Sequence, residues 1–288
     1  EKFSFAERGL SVPGQTHNAA PYSLTEGLRL VRHLLAAGRY VFTTDDAAAA
    51  AGELGVAGSY LPRLLSALVE GGWLLRLRRG LYGCTGEIAG TVSIHPYAVA
   101  ASLVSPSAIS HWSALSHHGF TEQVPHDVSA TTPRRIVTPT MRGSGDEMPQ
   151  RKHAWEVAGI RYEYVSVKPE RFFGHDLVWV DERFRVPITD RERTILDCFA
   201  FPHLIGGLSE ALAILSEHWA GLDLTRLVAY ALRFGQGATI KRLGWALDEA
   251  GAPPDHLWPL LDYPIAGHRV LDPSRPRRGP CDRRWMIQ

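Results

Sequence analysis

Cysteine is scarce in this chain. Cys84, Cys198 and Cys281 are the only three, widely separated, and no two stand at the C-x-x-C spacing of a zinc site or a redox pair. That excludes a disulfide scaffold and a zinc module, and predicts reduced thiols. Long hydrophobic runs are also lacking, which excludes a membrane-spanning segment. No charged-then-apolar leader opens the chain, so a cytoplasmic protein is expected. Charge of one sign is missing too. The net charge is +1, so no global field draws the protein to nucleic acid, and any such binding must come from local patches. No G-x-x-x-x-G-K, G-x-S-x-G or H-E-x-x-H sequence occurs. That points away from an enzyme; no cofactor and no metal are expected.

What is present suits a globular protein of more than one unit. Hydrophobic residues make up 45% and charged residues 21% of 288 positions, enough for a sizeable core. The pattern predicts an α+β protein: an N-terminal winged helix-turn-helix, then a mixed α/β C-terminal domain ending in a helical bundle. Residues 1–22 read as a mobile lead-in rich in Gly, Pro, Asn and Ser, and residues 23–88 as the first domain. Residues 89–288 read as the second, with mixed strands and helices over 89–188, mostly helix over 189–262, and a basic tail over 263–288.

In the first domain, Ser23 and Glu26 have the spacing of a capping box. Leu24, Leu28, Val31, Leu34 and Leu35 then recur at helical spacing until Gly38. Tyr40 to Phe42 is a short extended stretch. Thr43 or Thr44 caps a second helix, with Asp45 and Asp46 in its first turn and an alanine run over Ala47–Ala51. A third helix starts near Ser59, with Pro62 in its first turn. Leu61, Leu64, Leu65, Leu68 and Val69 form its buried stripe, and Ser59, Arg63, Ser66 and Glu70 lie on the opposite face. In a helix-turn-helix the start of that outer face meets base edges, which nominates Ser59, Tyr60, Arg63 and Ser66, with Arg63 able to fork onto a guanine. Strand-like residues from Trp73 to Arg76, the permissive Gly80 and the returning Leu81-Tyr82 form a hairpin. Arg76, Arg78 and Arg79 place three guanidiniums where a wing meets phosphate.

The remainder offers weaker signals. A helix is expected at Pro96–Leu103 and another at Ser107–His118, where His111, His117 and His118 are expected to be packed or hydrogen-bonded rather than metal ligands. Strands are expected at Val128–Pro139, Gly159–Val167 and Phe184–Ile188, with a polar loop over Met141–Arg151. Asp181 and Glu182, read as adjacent strand residues facing opposite ways, make a poor nuclease pair. Thr189 and Glu192 have capping-box spacing ahead of a helix carrying Ile195, Leu196 and Phe199. Leu208–Trp219, Leu224–Phe234 and Ala238–Ala250 follow as amphipathic helices, with Arg226, Arg233, Lys241 and Arg242 expected on the outside as candidate partner contacts. After His268, six arginines face Asp272 and Asp282, a local excess of +4.

Four stretches together resemble the AbiEi antitoxins of type IV toxin–antitoxin systems, which act in abortive infection and antiviral defence: LLSALVEGGWLLRLRRGLYG, ISHWSALSHHGF, ITDRERTILDCFAFPHLIGGLSEAL and LDPSRPRRGPCDRRW. The resemblance implies an N-terminal winged helix that represses the chain's own operon by binding double-stranded inverted-repeat operator DNA. It also implies a C-terminal domain that counters a nucleotidyltransferase-like toxin. On that scheme the DNA contacts fall on Ser59, Tyr60, Arg63, Arg76, Arg78 and Arg79. Asp190, Arg191, Glu192, Arg193 and Asp197 match the third stretch and are expected to cap and to form internal ion pairs. The alternatives are a one-component regulator with a ligand-sensing C-terminal domain, and a nuclease or nucleotide-transfer enzyme tethered to DNA.

Overall fold

The computed structural model describes residues 21–85, 94–136 and 153–288, with Ala89 in between. The readings made for residues 1–20, for the segment after Thr85 and for the loop at Met141–Arg151 lie outside the described residues, as do the side chains of Ser23 and Leu24. Two compact units emerge. The first comprises Glu1–Ser105, Glu156–Arg161 and Trp179–Arg185; the second comprises Pro106–Trp155, Tyr162–Val178 and Val186–Gln288.

The first unit opens with α1 (Pro21–Ala36). It begins at a proline, whose missing N–H is no loss in a first turn, so Ser23 lies inside the helix rather than capping it. Its buried ridge is Gly27, Leu30, Val31 and Leu34, with Leu28 and Leu35 only half-buried. At Gly27 a methyl group would come within 2.7 Å of Leu68, so the glycine permits the close approach of α1 to the third helix.

β1 (Val41–Thr43) leads directly into α2 (Thr44–Glu53). Of the two threonines expected to cap it, Thr43 does so. Its hydroxyl accepts from the Asp46 N–H, while the Asp46 carboxylate accepts from the Thr43 N–H at 2.8 Å. Those Thr43 hydrogen bonds, with the Arg39 guanidinium beside them, hold the Asp46 carboxyl below its ordinary range. α3 (Leu61–Glu70) buries Leu61, Leu64, Leu65 and Leu68. β2 (Leu74–Arg78) and β3 (Leu81–Cys84) then form a hairpin that joins β1 in a three-stranded sheet of order β1-β3-β2. Burial pushes the Cys84 thiol up to about 12. α4 (Pro96–Leu103) also belongs to this unit, as do Glu156–Arg161 and Trp179–Arg185, so the unit extends past residue 88.

The second unit is built on a six-stranded sheet of order β6-β7-β5-β4-β9-β8. Its strands are β4 (Ala108–Ile109), β5 (Val128–Thr132), β6 (His153–Val157), β7 (Ile160–Ser166), β8 (His175–Trp179) and β9 (Arg185–Thr189). β4 pairs antiparallel with β5 and parallel with β9, and β5 pairs parallel with β7. The helix expected over Ser107–His118 is thus a two-residue central strand followed by the shorter α5 (His111–His117). The positive φ of His111 (52°) makes the sharp change of direction. Asp181 and Glu182 lie in the turn between β8 and β9, not on a strand. The Asp181 carboxylate accepts from the N–H groups of Arg183 and Phe184.

Five helices follow: α6 (Arg191–Ala200), α7 (Leu208–His218), α8 (Leu224–Phe234), α9 (Gly237–Glu249) and α10 (Pro254–Leu261). They enclose a core that includes Ile195, Phe199, Leu227, Phe234, Leu243 and Trp285. The cap of α6 is Asp190, whose carboxylate accepts from the Arg193 N–H at 2.7 Å. The box expected from Thr189 and Glu192 does not form, because Thr189 closes β9 and donates to the Ile109 carbonyl. Glu192 instead accepts from the Asp223 N–H, just ahead of α8.

Candidate nucleic-acid interface

The exposed faces of α3 and the β2–β3 hairpin gather most of the nominated residues. On α3 the side chains of Arg63 and Ser66 are exposed, and Ser59, expected at the start of the helix, is exposed in the turn just ahead of it. Their exposure follows from the leucine stripe, which commits the other face to the core. Tyr60 differs. It takes the N-cap position without a side-chain cap, and its ring packs half-buried against the core, leaving less of it available to a ligand.

The hairpin is shaped by two features. Gly80 has φ 75°, a conformation a glycine adopts without strain, and its carbonyl accepts from the Thr44 N–H at 3.1 Å, tying the tip to the start of α2. Next to it lies a β-bulge. Arg76 pairs with Tyr82 and Arg78 with Leu81, so Leu77 is an extra residue on β2. Adjacent residues of β3 point to opposite faces. Arg76 and Arg78, although two apart, are therefore on opposite sides of the hairpin.

The consequences for charge are direct. Leu77 is buried, and Arg78 turns towards α4, donating from Nε to the Leu103 carbonyl at 3.2 Å. Arg76 and Arg79 are exposed and have no acidic partner among the described residues. The three arginines are thus not equivalent: all are exposed, but Arg78 alone is partly satisfied by the protein itself.

The other nominated cations lie in the second unit, and there the outward placement fails for two of four. Lys241 and Arg242 are buried, at 2% and 7% exposure. The Lys241 ammonium donates to the carbonyls of Leu260 (3.1 Å) and Leu261 (2.5 Å), closing the C-terminal turn of α10 where carbonyls lack helical partners. Burial lowers the pKa of Lys241, and nearby Asp262 opposes that shift. Arg242 donates to the Val270 carbonyl. Arg226 is exposed and pairs with Glu192 and Asp223, while Arg233 is exposed with its guanidinium 4.0 Å from the centre of the Phe173 ring.

The Asp190–Asp197 stretch serves the interior. Arg193, 1% exposed, pairs with Asp197 at 2.9 Å, donates to the carbonyls of Arg171 and Phe173, and lies over the Phe173 and Phe234 rings. Asp190 also accepts from the Tyr230 hydroxyl. The histidines are bonded within the fold: His118 meets the Thr189 carbonyl at 2.6 Å and His111 meets the Thr131 hydroxyl. Burial depresses the pKa of His111 to about 4, against the attraction of Asp197. No cluster of potential metal ligands occurs among the described residues, and no described helix is long and apolar enough to cross a membrane.

Comparison with known proteins adds two findings. Residues 29–83 match a family described as a transcriptional regulator, AbiEi antitoxin. The match holds the first of the four stretches quoted above and runs from α1 to β3. The chain is also similar to the crystal structure of the RV2827C protein from Mycobacterium tuberculosis, with a TM-score of 0.65 and 16% identity over 96% of this chain and 94% of that one. That likeness is one of fold. None of the curated proteins matches.

Proposed function

We propose that this chain, which carries the AbiEi antitoxin regulator domain over residues 29–83, is the antitoxin and autorepressor of a type IV toxin–antitoxin pair. On this reading its first unit is a winged helix-turn-helix. α3 enters the major groove of an inverted-repeat operator, with Arg63, Ser59 and Ser66 towards base edges. Arg76 and Arg79 meet backbone phosphate from the hairpin, while Arg78 braces the hairpin on α4. The second unit counters a nucleotidyltransferase-like toxin, and the reading assigns the chain no catalytic step. The protein acts in the cytoplasm, where its operator lies.

The observation that carries this reading is the pair of exposed arginines, without an acidic partner among the described residues, on the bulged hairpin beside an exposed α3 face, inside the segment that the family match covers. Salt-dependent binding to the operator region is the test. Each phosphate neutralised contributes roughly 0.9 to the slope of log affinity against log salt. Arg76→Ala with Arg79→Ala is expected to lower that slope by about 2 and the operator affinity at least tenfold. Arg78→Ala has the smaller effect on binding. Unchanged affinity and slope in the double variant would overturn the wing assignment. For the antitoxin role, co-expression with the neighbouring open reading frame is expected to relieve its toxicity; a neighbour harmless by itself favours the ligand-sensing regulator instead.

A further inference from the structure

The basic stretch after His268 is not used by the reading above, yet the fold anchors it firmly. Trp285 is 1% exposed and lies on α9 at Gly244, where even a methyl group would come within 2.1 Å of its ring. Its indole N–H donates to Asp248 at 2.8 Å, and Ile287 is buried beside the same core. Backbone hydrogen bonds from Arg269 to Met286, from Gln288 to Arg269 and from Leu271 to Gln288 clasp the two ends of the segment. The loop between them is held at its base by a buried tryptophan and a short ladder.

On this loop and its base all six arginines are exposed. Arg275 pairs with Asp272 and Arg284 with Asp248, so two of them are neutralised locally. Arg269, Arg277, Arg278 and Arg283 have no acidic partner among the described residues. Arg269 and Arg277 also share the lining of an open depression of about 490 Å³, together with His268 and Gln288. The whole chain carries a net charge of only +1, so this concentration is local and not a general surplus.

We infer that this anchored arginine loop is a second docking surface, for the phosphodiester backbone of a nucleic acid. Guanidiniums fork onto phosphate oxygens, several in a row follow an extended polyanion, and a clasped loop presents them with little ordering left to do on binding. Contacts of this kind position a nucleic acid without reading its sequence. The surface belongs to the second unit and does not depend on the wing assignment.

Full-length protein titrated with a labelled non-operator DNA duplex and with an RNA hairpin, each over a range of salt, tests this. Replacing Arg269, Arg277, Arg278 and Arg283 together by alanine is expected to weaken binding at low salt tenfold or more and to lower the salt slope by about 3.6. Lysine at the same four positions is expected to keep most of both. Arg278→Ala with Arg283→Ala, which removes no hydrogen bond within the described protein, should lower the slope by about 2 and covers the case in which the fourfold variant misfolds. A response on duplex, on hairpin or on both supports the inference and identifies the source of the phosphate. Slopes unchanged on both probes overturn it, as does relief of toxicity lost with nucleic-acid binding intact, which would make the loop a protein contact. The Arg76→Ala/Arg79→Ala variant separates the two surfaces: its loss of operator recognition with the loop-dependent slope retained leaves this inference standing.

Discussion

The hairpin arginines of the first unit and Arg193 of the second do opposite work. In the first, Arg76 and Arg79 are exposed on a hairpin and have no acidic partner among the described residues. In the second, Arg193 is enclosed, fixed by Asp197, two backbone carbonyls and two aromatic rings. An exposed guanidinium keeps its hydration and is free to exchange it for phosphate. A buried one must have its donors satisfied inside, because an unpaired charge in the interior is costly. The difference lies in the partners that the fold supplies, and identity or local charge density does not reveal it.

The sharpest way to break this contrast is at Arg193. Arg193→Ala leaves the Asp197 carboxylate buried without its cation and is expected to cost about 3–5 kcal/mol in denaturant unfolding. Arg193→Met combined with Asp197→Leu should cost clearly less, since neither charge is then stranded. If the single and double variants are equally destabilised, the ion pair is not the reason for the loss.

Acid supplies the next test. His111 titrates near 4 in the fold and near its ordinary value of about 6.5 when unfolded, so between those values the unfolded chain binds the extra proton. Stability from keeping His111 neutral is therefore complete above about pH 6.5 and drains away as pH falls towards 4, by about 3 kcal/mol in all. Thermal midpoints measured from pH 7 down to pH 4.5 should fall for the wild type. They should fall less for His111→Asn, a residue that also accepts a positive φ. Parallel curves for the two proteins would assign the acid sensitivity elsewhere.

Smaller still, Gly244→Ala presses a methyl group into the Trp285 ring and should cost about 1–3 kcal/mol. Near-ultraviolet circular dichroism should report the displaced indole, and an unaltered tryptophan signal would contradict the packing. At the far end of the scale, Arg76→Ala with Arg79→Ala should change stability by less than about 0.5 kcal/mol. A larger loss would mean that the hairpin arginines hold the fold together, which would blur the comparison between the units.

Much of the first unit was legible because its signals are local. The Thr43–Asp46 cap, the leucine stripe of α3 and the glycine turn at Gly80 each lie within a few residues of one another, and the structure has all three. The second unit hid more. β4 is two residues long between serines and imitates the start of a helix, and its strand character comes from β5 and β9, far away in sequence. Lys241 and Arg242 follow the same logic. The carbonyls that let them be buried come from Leu260, Leu261 and Val270, and helical periodicity cannot show such partners. The hydrogen bond of Arg78 was hidden for a related reason: its acceptor, the Leu103 carbonyl, lies 25 residues away in α4.

That extra residue makes the hairpin sensitive to counting more than to chemistry. Exchanging Leu77 for another apolar residue leaves the register intact. Deleting it would restore one-to-one pairing opposite Tyr82 and Leu81, leave Arg76 and Arg78 on opposite sides, and strip the hairpin of the buried Leu77 side chain. A single codon lost here would do what no point substitution does: it would straighten the strand and remove a core side chain while leaving the number of positive charges, and the sides they occupy, the same.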